Sequence, residues 1–295
     1  MQGGERYNSI SDYLKKEFGR KTVKLSIEAG FTCPNRDGSI AYGGCAFCSS
    51  GGSGELASSI PEQIELLSAK WPDACYLAYF QSHTNTYAPV SVLRSKYYEA
   101  LNDPRISGIV IATRPDCLGD DVLDLLEEIN QKHFIWVELG LQTIHPETAD
   151  MMGIGYHADV YDRAVDSLLS RGIRVVTHLI LGLPGETREM MLDSVRHICS
   201  REIFGIKLHL MNIVRTSRLY EMMPDYVPFD SIDEYVDLVI SCLEIIPPEI
   251  SIHRLTGDVP RRLLVSPEWS YLKRTILNSI NRELRARDTY QGAAL

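Results

Sequence analysis

Short apolar runs alternate with longer amphipathic ones along most of this chain, and that alternation restricts the fold more than any other feature. The apolar runs have strand length and the amphipathic runs have helical spacing, as at 120–130, where the apolar residues recur every three or four positions. The pattern predicts seven strands, at 23–27, 75–80, 106–112, 134–140, 173–181, 206–211 and 249–253. Helices are predicted at 61–70, 92–101, 120–130, 160–170, 187–199, 232–245 and 269–285.

Strands that alternate with helices imply an α/β fold with a parallel sheet and right-handed crossovers. Two architectures fit this pattern, a doubly wound open sheet and a complete or partial α/β barrel. In both, ligands bind at the carboxyl ends of the strands. No linker or shift in composition divides the chain, and residues 288–295 are expected to fray.

Composition limits the classes of function. The formal net charge of -9 argues against a protein that coats nucleic acid non-specifically, although basic residues gather between 254 and 287. No run of about 18 apolar residues occurs, so no membrane span is expected. Residues 1–19 lack the apolar stretch of a secretory signal, and a cytoplasmic location is therefore expected.

The seven cysteines divide into four isolated ones and a group of three. An odd number in a chain without a secretion signal makes a disulfide framework improbable. Cys33, Cys45 and Cys48 lie together in a glycine-rich loop after the first predicted strand. Their spacing predicts that three thiolates can reach one metal centre.

Three thiolates suit some metal centres better than others. A structural zinc site and an ordinary [4Fe-4S] site both use four protein ligands, and His83 is the nearest histidine. Three cysteines fit a [4Fe-4S] cluster whose fourth iron is left to a small molecule such as S-adenosylmethionine (SAM). Zinc with a distant fourth ligand and inert thiols remain alternatives. Phe47 covers the cluster or anchors the loop.

Polar residues follow most of the predicted strands where they end. Arg114 follows the third strand and could clamp a carboxylate or phosphate, or pair with Asp116. Glu138 stands inside an apolar strand, where its charge needs hydrogen-bond partners such as ribose hydroxyls or a neighbouring strand. The other candidates at strand ends are Gln81, Ser82, His83, Gln142, Gly182, Gly185, Arg215 and Arg254.

Four motifs together resemble those of the radical SAM superfamily. They are the three-cysteine loop with Phe47, TRPD at 113–116, ELGLQ at 138–142 and GLPGET at 182–187. The likeness is strongest to YtqA/YhcC-like proteins, in the branch that holds the Elongator catalytic subunit and the anaerobic coproporphyrinogen oxidase. It runs from about residue 7 to about residue 292.

The resemblance implies a partial (β/α)6-type barrel, a parallel sheet with outer helices, at 21–255. An N-terminal extension at 1–20 and a C-terminal helical extension at 256–295 would flank it. The implied cofactors are a [4Fe-4S] cluster on Cys33, Cys45 and Cys48 and SAM. By the same analogy Glu138 would bind the SAM ribose, Gln142 the methionyl end, and the 182–185 loop the adenine. Phe47, Gln81 and Ser82 would complete the SAM site.

One departure concerns the SAM carboxylate. Relatives carry an Asn-Arg-Gly-His run where this chain has GIGY at 153–156. Arg163 or Arg114 is then expected to replace the missing arginine.

The resemblance also implies reductive cleavage of SAM to a 5′-deoxyadenosyl radical that abstracts hydrogen. The expected substrate is tRNA, whose wobble uridine (U34) would be trimmed from carboxymethylaminomethyl to aminomethyl. Candidate substrate contacts are His83, Arg114, Arg215 and Arg254. Flavodoxin or ferredoxin would supply the electron, because no second cluster motif is present. A small-molecule substrate and a non-catalytic zinc-binding module are the alternatives.

Overall fold

Seven strands form one wholly parallel sheet in a computed structural model that describes residues 6–52, 54 and 56–295. They are β1 (Thr22–Ile27), β2 (Cys75–Phe80), β3 (Ile106–Thr113), β4 (Phe134–Gln142), β5 (Arg174–Leu181), β6 (Gly205–Leu210) and β8 (Ser251–Arg254). All seven strands predicted from the apolar runs are confirmed, with ends that differ by two residues or fewer. Their β-branched and aromatic content suits strands buried on both faces.

Strand order decides between the two architectures that the sequence left open. The order in the sheet is the order in the chain, β1-β2-β3-β4-β5-β6-β8. A doubly wound sheet reverses direction at a switch point, whereas a barrel adds each strand beside the previous one. The sheet is therefore a curled half-barrel with helices around it, as the family resemblance implied.

Most of the helices cover the outer face of the sheet, whereas the short α5 and α8 pack beside the cysteine loop. In α4, for example, five apolar side chains of an eleven-residue helix are buried, which is the amphipathic stripe that a surface helix needs. No helix within the described residues is both long and apolar enough to cross a membrane. The helices are α1 (Ile10–Phe18), α2 (Ile60–Ser68), α3 (Val90–Leu101), α4 (Asp120–Asn130), α5 (Pro146–Met151), α6 (Ala158–Ser170), α7 (Arg188–Cys199), α8 (Arg218–Met222), α9 (Ile232–Ile245) and α10 (Lys273–Ala286).

The N-terminal helix α1 lies against the inner face of the half-barrel, unlike the others. Its Leu14 packs with Leu77, Val110, Trp136 and Val176, which are inward-facing residues of β2, β3, β4 and β5. Ser9 accepts a hydrogen bond from the backbone of Ser11 and begins the helix, and the backbone of residue 8 pairs with β8. The segment thus fills the inside of the barrel away from the carboxyl ends of the strands.

The C-terminal residues are held in place, so the expectation that 288–295 frays is wrong. The side chain of Gln291 is fully buried. Its Nε2 donates to Pro247 O at 2.7 Å and Ile250 O at 2.8 Å, and its Oε1 accepts from Asn8 N at 2.8 Å. One glutamine therefore fastens the end of the chain to its beginning and to β8.

A small pair of antiparallel strands outside the main sheet was not predicted. It consists of β7 (Ile213–Val214) and β9 (Leu264–Ser266), which pair antiparallel. The pair brings residue 215 next to residue 263, with Arg215 N donating to Leu263 O at 2.9 Å. This contact forms one wall of the barrel mouth.

Candidate active site

A pocket of about 460 Å³ opens at the carboxyl ends of the strands, where both candidate architectures place a ligand. Its walls come from the cysteine loop, the ends of β2 to β6, and the segment after β8. Ten of the fifteen site residues predicted from the sequence line it: Cys33, Cys45, Phe47, Cys48, Gln81, His83, Arg114, Glu138, Gln142 and Arg254.

The cysteine loop is folded tightly enough to bring the three thiols to this one pocket. Backbone turns close it, with Arg36 N donating to Cys33 O at 2.8 Å and Cys48 N to Cys45 O at 3.0 Å. Asn35 fastens the loop to the segment before α6. Its Nδ2 donates to the Cys45 sulfur at 3.3 Å and to Gly153 O at 2.8 Å.

Hydrogen bonds and nearby positive charge favour a thiolate at Cys45. A hydrogen bond from Cys48 lowers the pKa of Cys45 to about 7, with burial opposing and Asn35 and Arg114 assisting. The same pairing raises the pKa of Cys48, and burial adds to that rise. Thiolate is the form of cysteine that binds iron. The loop therefore offers the donors that a [4Fe-4S] cluster requires.

The spacing of the thiols matters for the kind of metal centre. Across the ranges that the structure describes, no three Cys, His, Asp or Glu side chains are arranged to hold a single metal ion. In a cluster each cysteine binds a different iron, so the three thiols do not have to point at a single metal ion.

Arg114 is held rigidly beside the cysteine loop. Its guanidinium forms a bidentate pair with Asp116, at 2.9 and 2.7 Å, and donates to Ile154 O at 3.0 Å. It also lies 4.8 Å above the ring of Tyr156. With most of its donors used inside the protein, Arg114 is placed to steady the thiolates electrostatically. The geometry does not favour the predicted contact with a substrate or SAM carboxylate.

Glu138 is fully buried and lies at the centre of a polar network inside the half-barrel. Its Oε2 accepts from Tyr79 Oη at 2.6 Å, from His178 Nε2 at 2.9 Å and from Lys207 Nζ. Its Oε1 accepts from Trp136 Nε1 at 3.0 Å. These donors come from four different strands, so the network ties the inner faces of β2, β4, β5 and β6 together.

This network leaves no room for the predicted contact between Glu138 and the SAM ribose. The four hydrogen bonds match the roughly four lone-pair sites of the carboxylate. Lys24 Nζ adds an ion-pair contact 3.6 Å from Oε1. Burial alone would raise the pKa of Glu138, but the charges of Lys207 and Lys24 outweigh it and hold that pKa well below its usual value. Glu138 is therefore ionised, and its role is to hold the strands of the half-barrel together.

Gln142 reaches the pocket from a strained position at the end of β4. Its φ is +69°, in the left-handed region that non-glycine residues seldom adopt. Strain of this kind persists where the surroundings fix it, often beside a ligand. The neighbouring Gly140 carbonyl accepts from Tyr156 Oη at 2.6 Å, which holds the strand end in place.

Five predicted site residues do not line the pocket. Arg163 is exposed on α6 and pairs with Asp159 at 2.9 Å, so it cannot replace the missing arginine. Gly182 packs under Phe229, where a β-carbon would lie 2.6 Å from the ring, and its role is close packing. The other three are Ser82, Gly185 and Arg215. Ser82 is buried against Gly54, Gly185 lies in an open turn, and Arg215 is exposed at the mouth.

The sequence-based interpretation missed several inward-facing polar residues, namely Lys24, Tyr79, Tyr156, Lys207 and His209, and it treated His178 as a core residue. A signal for them exists in the sequence. Lys207 and His209 alternate with apolar residues on β6, so both face the barrel interior. Two polar positions in register on a strand that is otherwise buried indicate a polar cavity.

Two regions of the chain match known families. Residues 31–198 match the Radical SAM superfamily, and residues 203–286 match the Radical_SAM C-terminal domain. The chain belongs to the radical SAM superfamily. As a radical SAM enzyme it uses the cofactors of that family, a [4Fe-4S] cluster and SAM.

Individual relatives of this radical SAM chain agree with that membership. The uncharacterized protein YtqA of Bacillus subtilis is 43% identical, over 98% of this chain and 92% of its own. Protein YhcC of Escherichia coli K12 is 37% identical, over 100% of this chain and 97% of its own. A tRNA uridine(34) acetyltransferase of Methanocaldococcus jannaschii is 26% identical, over 55% of this chain and 30% of its own.

The fold of a solved structure is also similar. Methanocaldococcus infernus Elp3 superposes with a TM-score of 0.62 at 19% identity, over 75% of this chain and 57% of that chain. The half-barrel is thus the shared element.

The pocket fits the two cofactors of a radical SAM enzyme. Three cysteines leave one iron of a cluster open for SAM, whose amino and carboxylate groups can bind it. Beside them, Asn212 Oδ1 and His209 Nε2 are buried with no hydrogen-bond partner among the described residues. Polar atoms left unpaired in a pocket are costly unless a ligand satisfies them. Phe47 supplies an apolar surface on the same wall.

Proposed function

We propose that this radical SAM enzyme modifies tRNA at the wobble uridine, U34, and trims its carboxymethylaminomethyl side chain to aminomethyl. With SAM as the two-electron oxidant, the N–CH2 group of the carboxymethyl arm would become an imine, and water would hydrolyse the C=N bond, so that the two carbons leave as glyoxylate and the nitrogen stays on the uridine. A reduced [4Fe-4S] cluster and SAM together supply a 5′-deoxyadenosyl radical that abstracts a hydrogen atom. The chain's own contribution is to hold the cluster on Cys33, Cys45 and Cys48, to orient SAM from Gln142 and Phe47, and to screen the pocket from water.

The observation that carries the RNA part of the proposal is the charge at the mouth of the pocket. Arg215, Arg218, Arg261 and Arg262 are exposed there, on or beside the β7–β9 pair and the segment that lines the pocket. In the described part of the chain none of the four has an ion-pair partner. Unpaired arginines around an opening suit RNA phosphates. The net charge of -9 then resides on other faces.

Similarity to enzymes of uridine 34 supports the same substrate. The tRNA uridine(34) acetyltransferase resembles this chain over 55% of this chain's length and 30% of its own. An external flavodoxin or ferredoxin would supply the electron. A small-molecule substrate is the second candidate, favoured by the depth at which the polar network lies inside the half-barrel.

The first experiment tests the radical chemistry. Protein purified without oxygen and reconstituted with iron and sulfide is given SAM and dithionite, and 5′-deoxyadenosine is measured. We expect formation in the wild type and its loss in Cys33→Ala, Cys45→Ala and Cys48→Ala, because each variant removes a cluster ligand. Cys199→Ala, on α7 away from the loop, is the matched control and should retain formation. Formation that survives in all three loop variants would contradict the assignment of the cluster.

The second experiment separates tRNA from a small molecule. Hypomodified tRNA is added to the active protein, and the nucleosides are analysed by mass spectrometry for conversion to aminomethyluridine. Contacts to several phosphates lose about a thousandfold in affinity between ~50 and ~200 mM salt, so the KM for tRNA should rise steeply. Arg261→Gln and Arg262→Gln should raise it further, and Arg105→Gln, at the opposite end of β3, should not. An active enzyme that leaves tRNA unchanged would favour the small molecule.

A further inference from the structure

The inner end of the pocket holds two cations that belong to the two edge strands of the sheet. Lys24 is on β1 and Arg254 is on β8, and both line the pocket. The curl of the sheet brings these edges towards each other. Burial lowers the pKa of Lys24, the charge of Glu138 opposes that shift, and the charge of Arg254 adds to it. Two like charges that line one cavity favour a negative charge between them.

The carboxylates of the protein supply only part of that charge, because each is shared with another lysine. Among the residues that the structure describes, only Glu138 and Asp258 are carboxylates on the pocket lining. Glu138 accepts four hydrogen bonds, one of them from Lys207, and lies 3.6 Å from Lys24. Asp258 is bound by Lys273 and lies 3.8 Å from the Arg254 guanidinium. Two carboxylates therefore face four cations.

Two of the histidines that line the pocket, His178 and His209, are uncharged and do not alter the balance between cations and carboxylates. Burial lowers the pKa of His178 to about 4 and that of His209 well below its usual value. Both imidazoles are thus neutral near pH 7. His209 Nε2 has no hydrogen-bond partner among the described residues and can donate to an anion as a neutral ring.

Lys24 and Arg254 are also positioned as binding groups. Lys24 Nζ lies 4.8 Å from the centre of the Tyr79 ring and 5.8 Å from that of Trp136, which fixes the ammonium between two aromatic faces. The side chains of Lys24 and Arg254 are 26% and 31% exposed, so both reach the cavity. Arg114 and Arg215, the arginines expected to meet a substrate carboxylate, are respectively locked by Asp116 and outside the pocket.

We propose that Lys24 and Arg254 together bind an anionic group of the substrate, a carboxylate, at the inner end of the pocket. The proposal rests on the proposed function, and in that reaction the ligand is the carboxylate of the carboxymethylaminomethyl group. Two cations and a neutral imidazole donor match the two oxygens of a carboxylate. The pocket would thus distinguish a carboxymethylated side chain from its trimmed product, which lacks the negative charge.

A binding measurement tests this site without turnover. Cluster-reconstituted protein with SAM and no reductant is titrated with 5-carboxymethylaminomethyluridine and with the isosteric amide, 5-carbamoylmethylaminomethyluridine. We expect the wild type to bind the carboxylate at least about tenfold more tightly, a difference of about 1.4 kcal/mol. Lys24→Gln and Arg254→Gln should each lose most of that preference. Lys96→Gln on α3 and Arg105→Gln are matched controls and should keep it.

Thermal unfolding separates binding from a structural role. Lys24→Gln also removes an ion pair with Glu138, and Arg254→Gln removes one with Asp258, so we expect both variants to melt at a somewhat lower temperature. Lys24→Arg keeps the charge and should keep the preference for the acid, whereas a purely structural role would make the loss of preference follow the loss of melting temperature in all three variants. Equal binding of acid and amide, or no binding of either, would overturn the proposal. Preference retained in both pocket variants would do so as well. Preference for the acid with no conversion of tRNA would refute the tRNA substrate and leave the anion site standing.

Discussion

Glu138 and Lys207 depend on each other because both are buried in the half-barrel, with 0% and 1% of their side chains exposed. Removing one partner of such a pair leaves a buried charge without compensation, at about 3–5 kcal/mol. We expect Glu138→Gln and Lys207→Met each to lower the free energy of unfolding in urea by about that amount. The double variant should lose less than the sum of the two.

A surface ion pair provides the comparison for that pair. Glu128 pairs with Arg94 at 2.6 Å on the outer face, with a third or more of both side chains exposed. Exposed pairs contribute about 0–1 kcal/mol, so Glu128→Gln should cost little. A Lys207→Met protein as stable as the Glu128→Gln protein would show that Lys207 is not the main counter-charge of Glu138.

Single residues also show where sequence reasoning stops. Glu138 could be singled out, because a carboxylate inside an apolar strand must have partners. Which partners it has could not be predicted, since they come from β1, β2, β5 and β6 and depend on the curl of the sheet. Gln291 gave no signal at all: a glutamine near a chain end is ordinarily exposed, and its hydrogen bonds appear only when both termini are packed.

At the scale of elements, α1 takes the place inside the half-barrel that a complete barrel would fill with strand side chains. Leu14 is 5% exposed and packs between β2 and β5. Leu14→Ala should destabilise the protein by about 2–5 kcal/mol, the usual cost of a cavity in a core. Lys15→Ala, on the exposed side of the same helix, should change the free energy of unfolding by less than about 0.5 kcal/mol.

Urea denaturation of the two variants measures the contribution of α1 directly. A cost below about 1 kcal/mol for Leu14→Ala would show that the sheet holds its curl without the helix. A cost in the expected range with unchanged 5′-deoxyadenosine formation would show that α1 supports the fold and not the chemistry.

The elements that could be predicted are those whose sequence pattern is long enough to repeat. The seven predicted helices have nine to fourteen residues, and six of the seven predicted strands have six to nine. By contrast, α1 buries one residue fully, and β7 and β9 have two and three residues. No periodicity can arise from so few positions. The spacing of the cysteines predicted the metal centre for another reason. Ligands that bind one centre from a single loop must lie close together in the sequence.

For the whole molecule, the chain closes on itself through its ends. Residues near Asn8 pair with β8, Gln291 bonds to both, and α10 packs on α9. The edge strand β8 is therefore covered by the chain's own N-terminal segment, which protects an otherwise open edge of the half-barrel. Lys24 and Arg254 lie on the two edge strands and still face one cavity because the sheet is curled.

A group of histidines inside this closed barrel makes stability depend on pH. Burial lowers the pKa of His178 to about 4, and it lowers those of His209 and His253 well below the ordinary 6.5, with nearby lysine charges adding to each effect. In the unfolded chain these histidines accept protons as the pH falls below about 6.5. In the folded state they stay neutral. Stability is therefore complete above that pH and falls as the solution is acidified towards pH 4.

His253 isolates this effect, because it lies outside the pocket lining and its ring packs against Trp136 and Phe204. His253→Phe keeps an aromatic ring and removes one titrating group. Below pH 6.5 the wild type should lose up to about 1.4 kcal/mol per pH unit relative to this variant, since one group then binds a proton only when unfolded. Urea unfolding of both proteins at pH 7, 6 and 5 measures the difference, in which the shared carboxylate effects cancel. A difference that stays constant over this range would mean that His253 is protonated equally in the folded and unfolded states. The interior of the barrel would then accept a protonated His253 in spite of its burial.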